Sequence, residues 1–155
     1  MLKTRFFLGV FLIVIAFASC KKDTYNAEEQ AKIDDALIVD FIAKNSIVAV
    51  KHSSGIYYQV ITPGSGNAAF NASTVVTVNY EGKLLNGNVF DKSTSLVTFP
   101  LGNLIQGWQI GIPLIQRGGR IRLIIPSTLA YKNESKPGIP KNSVLDFTID
   151  LFNAQ

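Results

Sequence analysis

Three segments of this chain alternate apolar and polar residues with a period of two. Val76, Val78 and Tyr80 fall on one side of the first, and Ile121, Leu123 and Ile125 on one side of the second. Leu145, Phe147, Ile149 and Leu151 fall on one side of the third, with Asp146, Thr148 and Asp150 between them. Successive side chains of a strand point to opposite faces, so each segment reads as a strand with one apolar face. Ile56, Tyr58 and Val60 add a fourth, opposed by Tyr57, Gln59 and Ile61. Pro63-Gly64-Ser65-Gly66-Asn67 and Asn86-Gly87 supply turn chemistry between them. Such alternation predicts an antiparallel sheet with one wet face. The other face must be covered. Leu104, Ile105, Trp108 and Ile112 have helical spacing, with Asn103 as N-cap and Pro113 as the stop after Ile112. The predicted fold class is α+β, an antiparallel half-barrel wrapped around this short helix.

A second, longer helix is expected ahead of the sheet, over residues 26–46. The Asn26 side chain is spaced to accept from a free first-turn N–H, and Glu29 completes a capping-box spacing. Ile33, Leu37 and Phe41 recur four apart, flanked by Ile38 and Ile42, and Asp34 interrupts the stripe. The plain reading is a helix packed on its own domain or serving as a spacer. At 155 residues the chain fits one compact domain, here 50–155, with attachments.

The N-terminus reads as an export signal. Residues 6–18 are apolar or glycine, preceded by Lys3 and Arg5. As a helix that run spans about 20 Å, short of the ~30 Å hydrocarbon core of a bilayer. Residues 1–19 are therefore expected to be a cleaved signal peptide. Cys20 is the chain's single cysteine, so no disulfide can form within it. Phe17-Ala18-Ser19-Cys20 resembles a bacterial lipobox, with Phe17 in the place usually held by leucine. That resemblance implies lipidation of Cys20, a membrane anchor and a short tether over 20–25. Lys21-Lys22-Asp23 lacks an Asp directly after the cysteine and lacks an acidic run. The expected address is thus the envelope of a Gram-negative bacterium, on the periplasmic side of the outer membrane. The formal charge of +4 includes Lys3 and Arg5, which cleavage removes. Arg117, Arg120 and Arg122 read as the solvated side of a strand. No basic face points to nucleic acid.

From Asn71 onward there is no Cys and no His. Three segments there together place many aromatic and aliphatic residues: Val89-Phe90-Asp91-Lys92-Ser93, Leu104-Ile105-Gln106-Gly107-Trp108, and Ile124-Ile125-Pro126-Ser127-Thr128-Leu129-Ala130-Tyr131. A site built from them would bind an apolar, kinked substrate without covalent chemistry, metal or cofactor. The order of Tyr80-Glu81-Gly82, Phe90-Asp91, Ile105-Gln106-Gly107-Trp108, Gly119-Arg120, Ala130-Tyr131 and Ile139-Pro140 resembles the FK506-binding-protein family. These are the FKBP-type peptidyl-prolyl isomerases. The resemblance covers about residues 53–152.

What that resemblance implies is specific. Trp108 matches the floor beneath a substrate proline ring, and Phe90, Phe99, Leu104, Ile105 and Phe147 match the walls. Asp91 matches a pocket carboxylate hydrogen-bonded to a tyrosine such as Tyr80. Tyr131 matches the tyrosine whose hydroxyl binds a substrate carbonyl, and Ile139 an apolar residue in a loop over the pocket. The implied partners are proline-containing polypeptides, and the implied activity is X-Pro isomerisation in protein folding. Some lipid-anchored and periplasmic relatives dimerise through N-terminal helices, which makes residues 26–46 a candidate homodimer contact. The family commonly reads Ala-Tyr-Gly where this chain has Ala130-Tyr131-Lys132, a departure that also admits a non-catalytic module binding proline segments.

Overall fold

In the computed structural model, residues 25–155 are described. The signal peptide expected over 1–19, Cys20 and residues 21–24 of the tether lie outside them.

Seven strands build one antiparallel sheet: β1 Val50–Lys51, β2 Tyr57–Thr62, β3 Val75–Leu84, β4 Val89–Lys92, β5 Val97–Pro100, β6 Gly119–Ile125 and β7 Leu145–Ala154. Their spatial order is β1-β2-β6-β7-β3-β4, with β5 also paired to β3. The expected turn at Asn86-Gly87 closes the β3–β4 hairpin, where the Asn88 N–H donates to Asn86 Oδ1 at 3.0 Å. The period-two reading holds for the three long strands. Val76, Val78, Ile121, Leu123, Ile125, Leu145, Phe147, Ile149 and Leu151 are all buried in one cluster.

The short helix α2, Gln106–Gly111, covers that cluster. Trp108 and Ile112 face inward as the spacing predicts. The helix lies unusually close to β6, because a Cβ on Gly107 would sit 2.4 Å from Ile125 Cγ2. Asn103 is not its N-cap. Residues Leu101–Asn103 form a separate 3-10 turn, and extended Ile105 precedes the helix with no side-chain cap bond. Beyond the helix, Pro113 sits inside a second 3-10 turn, Ile112–Leu114.

The outer face of the sheet is not uniformly wet. Helix α1, Ala27–Lys44, lies over it and closes a second core of Ile38, Tyr57, Ile124 and Val144. The cap is as expected, with Asn26 Oδ1 accepting from the N–H groups of Glu28 and Glu29 at 3.1 and 3.2 Å. The buried edge of α1 differs from the expected stripe. Ile33 and Leu37 are about half exposed, at 49% and 48%, whereas Asp34 and Ile38 are fully buried. The helix is turned by one residue because Asp34 has polar partners waiting in the domain, and a buried carboxylate must be hydrogen-bonded. Asp35 adds two further ties, accepting from the Tyr57 hydroxyl at 2.9 Å and pairing with Lys51 at 2.6 Å.

Candidate active site

The aromatic bowl forms where the sheet curls over α2. Phe147 belongs to the inward set of β7 and stands opposite Gly82 of β3. A side chain at position 82 would meet Phe147 Cε1 at 2.6 Å and Phe90 Cζ at 2.7 Å, so the glycine is what allows both rings to lie over β3. Trp108 is carried up by α2. Its ring meets Tyr80 and Phe147 edge-on, with centroids 5.1 and 5.2 Å apart and interplanar angles of 82° and 88°. Phe90 meets Phe147 in the same way at 5.5 Å. Edge-to-face pairs of this kind each add about 0.5–1.5 kcal/mol beyond the area they bury. Four rings thus pack against one another.

The result is an open bowl. It is lined by Tyr80, Phe90, Asp91, Phe99, Asn103, Leu104, Ile105, Trp108, Tyr131 and Phe147. Nine of these are the residues singled out from the sequence, drawn from β3, β4, β5, β7, α2 and the loops between them. Ile139 is the exception. It is buried in the core cluster and absent from the lining. Its loop turns tightly, with Ile139 and Lys136 exchanging backbone hydrogen bonds at 2.9 Å. Asn103 lines the bowl although the sequence pattern read it as a cap. Nothing in the local pattern marks it, since its place depends on the 3-10 turn after β5.

Polarity in the bowl is sparse and placed. The Tyr80 hydroxyl donates to Asp91 Oδ2 at 2.6 Å. Burial, then the hydrogen bond and negative charge of Asp91, push the Tyr80 hydroxyl well above its ordinary pKa. It therefore stays a protonated donor throughout the physiological range, and Asp91 is locked in one orientation on edge strand β4. Trp108 Nε1 is buried without a protein hydrogen-bond partner among the described residues. No nucleophile–base pair exists among the lining residues, and no group of three or more His, Cys, Asp or Glu residues is gathered among the described residues.

Tyr131 follows a third 3-10 turn, Ser127–Leu129. Lys132 after it has φ 55°, the left-handed region, which costs a side-chain-bearing residue roughly 1–2 kcal/mol. The backbone makes the conformation worthwhile. Lys132 N–H donates to the Ser127 carbonyl, and the Lys132 carbonyl accepts from Asn142 N–H, both at 2.8 Å. The backbone geometry a glycine would supply is thus adopted by lysine.

Residues 66–152 match the sequence model of a family described as FKBP-type peptidyl-prolyl cis-trans isomerase. The chain is 42% identical over 106 residues to the FKBP-type peptidyl-prolyl cis-trans isomerase FkpA of Escherichia coli K12, covering 66% of this chain and 39% of that protein. It is 39% identical over 138 residues to FkpA of Buchnera aphidicola from Baizongia pistaciae, covering 87% of this chain and 53% of the relative. The chain thus spans about two-fifths to half the length of these curated relatives. Among solved structures, Escherichia coli FkpA superposes with a TM-score of 0.71 at 36% identity, over 83% of this chain and 62% of that one. A peptidyl-prolyl cis-trans isomerase from Pseudomonas syringae pv. tomato gives a TM-score of 0.71 at 30% identity, over 85% and 98%.

Proposed function

This chain belongs to the FKBP-type peptidyl-prolyl cis-trans isomerase family, and from that premise we propose that its bowl catalyses rotation about X-Pro bonds. The observation that carries the reading is the bowl of four edge-to-face packed rings with only a few polar groups. Rotation about a peptide bond faces a barrier of about 18–20 kcal/mol. X-Pro bonds populate both isomers and exchange over tens to hundreds of seconds. In the twisted transition state amide resonance is lost and the group is less dipolar. A dry aromatic wall favours that form over the planar amide, and this differential binding lowers the barrier. The proline ring rests on Trp108 between Tyr80, Phe90, Phe99, Leu104, Ile105 and Phe147. The Tyr131 hydroxyl donates to a substrate carbonyl, and Asp91, held by Tyr80, faces the twisted amide.

Asp91→Val is expected to keep the fold, since the residue lies on an edge strand and its ladder bonds come from the backbone. It should lower kcat/KM for an X-Pro peptide by roughly tenfold, about 1.4 kcal/mol. Tyr131→Phe should cost the same or less. The size is diagnostic, because a general acid or base contributes about 10²–10⁴-fold. Abolished activity in folded Asp91→Val, with a bell-shaped pH profile in the parent, would refute the mechanism. Unchanged rate and proline-ligand affinity in both variants would place the pocket elsewhere.

The setting of the domain is read from its N-terminus. Among the described residues no helix is long and apolar enough to cross a membrane. A lipid on Cys20 supplies the anchor, after removal of residues 1–19, with 20–25 as tether, 26–46 as helix and 50–155 as the isomerase domain. A single acyl chain binds membranes only marginally, whereas a diacylglycerol with a further acyl chain holds firmly. The protein then assists folding in the cell envelope of a Gram-negative bacterium, from the periplasmic side of the outer membrane. Cys20→Ser should leave an unprocessed precursor without fatty-acid label, and persisting label would defeat this reading. The half-exposed Ile33 and Leu37, one turn apart on α1, are among the apolar residues available for contact with a second copy.

A further inference from the structure

A carboxylate from the N-terminal helix reaches the far side of the Tyr131 loop. Asp34 has no exposed surface. Its Oδ2 accepts from Ser127 N–H at 2.7 Å and from the Ser127 hydroxyl at 2.6 Å, across 93 positions of sequence. Its other oxygen accepts from Gln30 Nε2 at 2.7 Å, one helical turn earlier. Ser127 is itself fully buried and opens the 3-10 turn that leads to Tyr131. Its carbonyl accepts from Ala130 N–H at 3.0 Å and Lys132 N–H at 2.8 Å, the residues on either side of Tyr131. One carboxylate therefore fixes Ser127, and Ser127 fixes both flanks of Tyr131.

We infer that Asp34 is a positioning residue for Tyr131, so that the N-terminal helix completes the prolyl site rather than serving as a spacer alone. The inference rests on the substrate-binding role proposed for Tyr131. Two features separate it from simple docking. Docking of α1 is already provided by Ile38 in the second core and by the Asp35 ties to Tyr57 and Lys51. The Asp34 bonds go to the one turn whose backbone sets Tyr131. The left-handed Lys132 has no slack to absorb a shift of Ser127, because its own N–H and carbonyl are both engaged.

The test uses the full chain, a protease-free exchange assay on an X-Pro peptide, and temperatures well below each variant's melting point. Asp34→Ala should lower kcat/KM about five- to tenfold in the parent but less than about twofold in a Tyr131→Phe background, since coupled residues are non-additive. Asp34→Asn keeps an acceptor oxygen for both Ser127 bonds and should recover activity to within about twofold. In Asp34→Ala the Ala130 and Lys132 amides should exchange with solvent about tenfold faster while Ile149 in the core keeps its protection. An equal loss in both backgrounds, or unchanged exchange at Lys132, would overturn the inference. If Tyr131→Phe alone changes nothing, the role of Tyr131 fails, while the exchange measurement still decides whether Asp34 sets the loop. If Asp34→Ala does not fold, Ser127→Ala removes only the hydroxyl bond and should show a smaller loss with the same dependence on Tyr131; equal loss in both backgrounds there would overturn the inference too.

Discussion

Phe147→Ala is expected to destabilise the fold by about 3–5 kcal/mol, the range for removing a buried aromatic ring and leaving its cavity. The ring is 4% exposed and sits at the junction of core and bowl, against Tyr80, Phe90 and Trp108. Collapse around the void is restricted. Gly82 has no side chain to move in, and β7 is held on both sides, by β3 and by β6. The loss should therefore fall in the upper part of that range, read as a lower urea midpoint at unchanged slope. The same variant should bind proline ligands poorly, because Trp108 loses the ring that keeps it upright. A loss below about 0.5 kcal/mol would place Phe147 at the surface and discredit the register of β7.

Residues that act through short-range periodicity were legible before the fold was known. The inward sets of β3, β6 and β7 follow from alternation alone, because one buried face fixes which parity points inward. Trp108 and Ile112 follow from helical spacing, and Asn26 from cap chemistry. The wall residues were not legible from pattern. Phe90, Phe99 and Tyr131 become a site only through the order of motifs resembling a known family, and the bowl brings them together with Tyr80 and Asp91. What escaped is what long-range contacts decide. Asn103 enters the bowl because a 3-10 turn intervenes before α2. Ile139 goes down into the core because its loop folds back on itself at Lys136. Asp34 looked like a flaw in an apolar stripe. Its partner lies 93 residues away, and that pairing rotates α1 so that Ile38 rather than Leu37 faces the sheet.

That rotation makes a sharp prediction from two adjacent residues. Ile38→Ala should destabilise the fold by about 2–4 kcal/mol, within the range for a fully buried isoleucine. The side chain packs with Tyr57, Ile124 and Val144, none of which lines the bowl, and its loss loosens α1 from the sheet. Leu37→Ala, one position away, should cost under about 0.5 kcal/mol at low protein concentration, as exposed substitutions do. The sequence stripe of Ile33, Leu37 and Phe41 predicts the reverse order, so the pair tests which edge of α1 is docked. Concentration adds a second reading. If a copy of the chain covers Ile33 and Leu37, stability rises with protein concentration by mass action, and Leu37→Ala removes that rise. A concentration-independent midpoint in the parent would reject the dimer and leave α1 as an element of the monomer, bound through Ile38 and the buried carboxylate of Asp34.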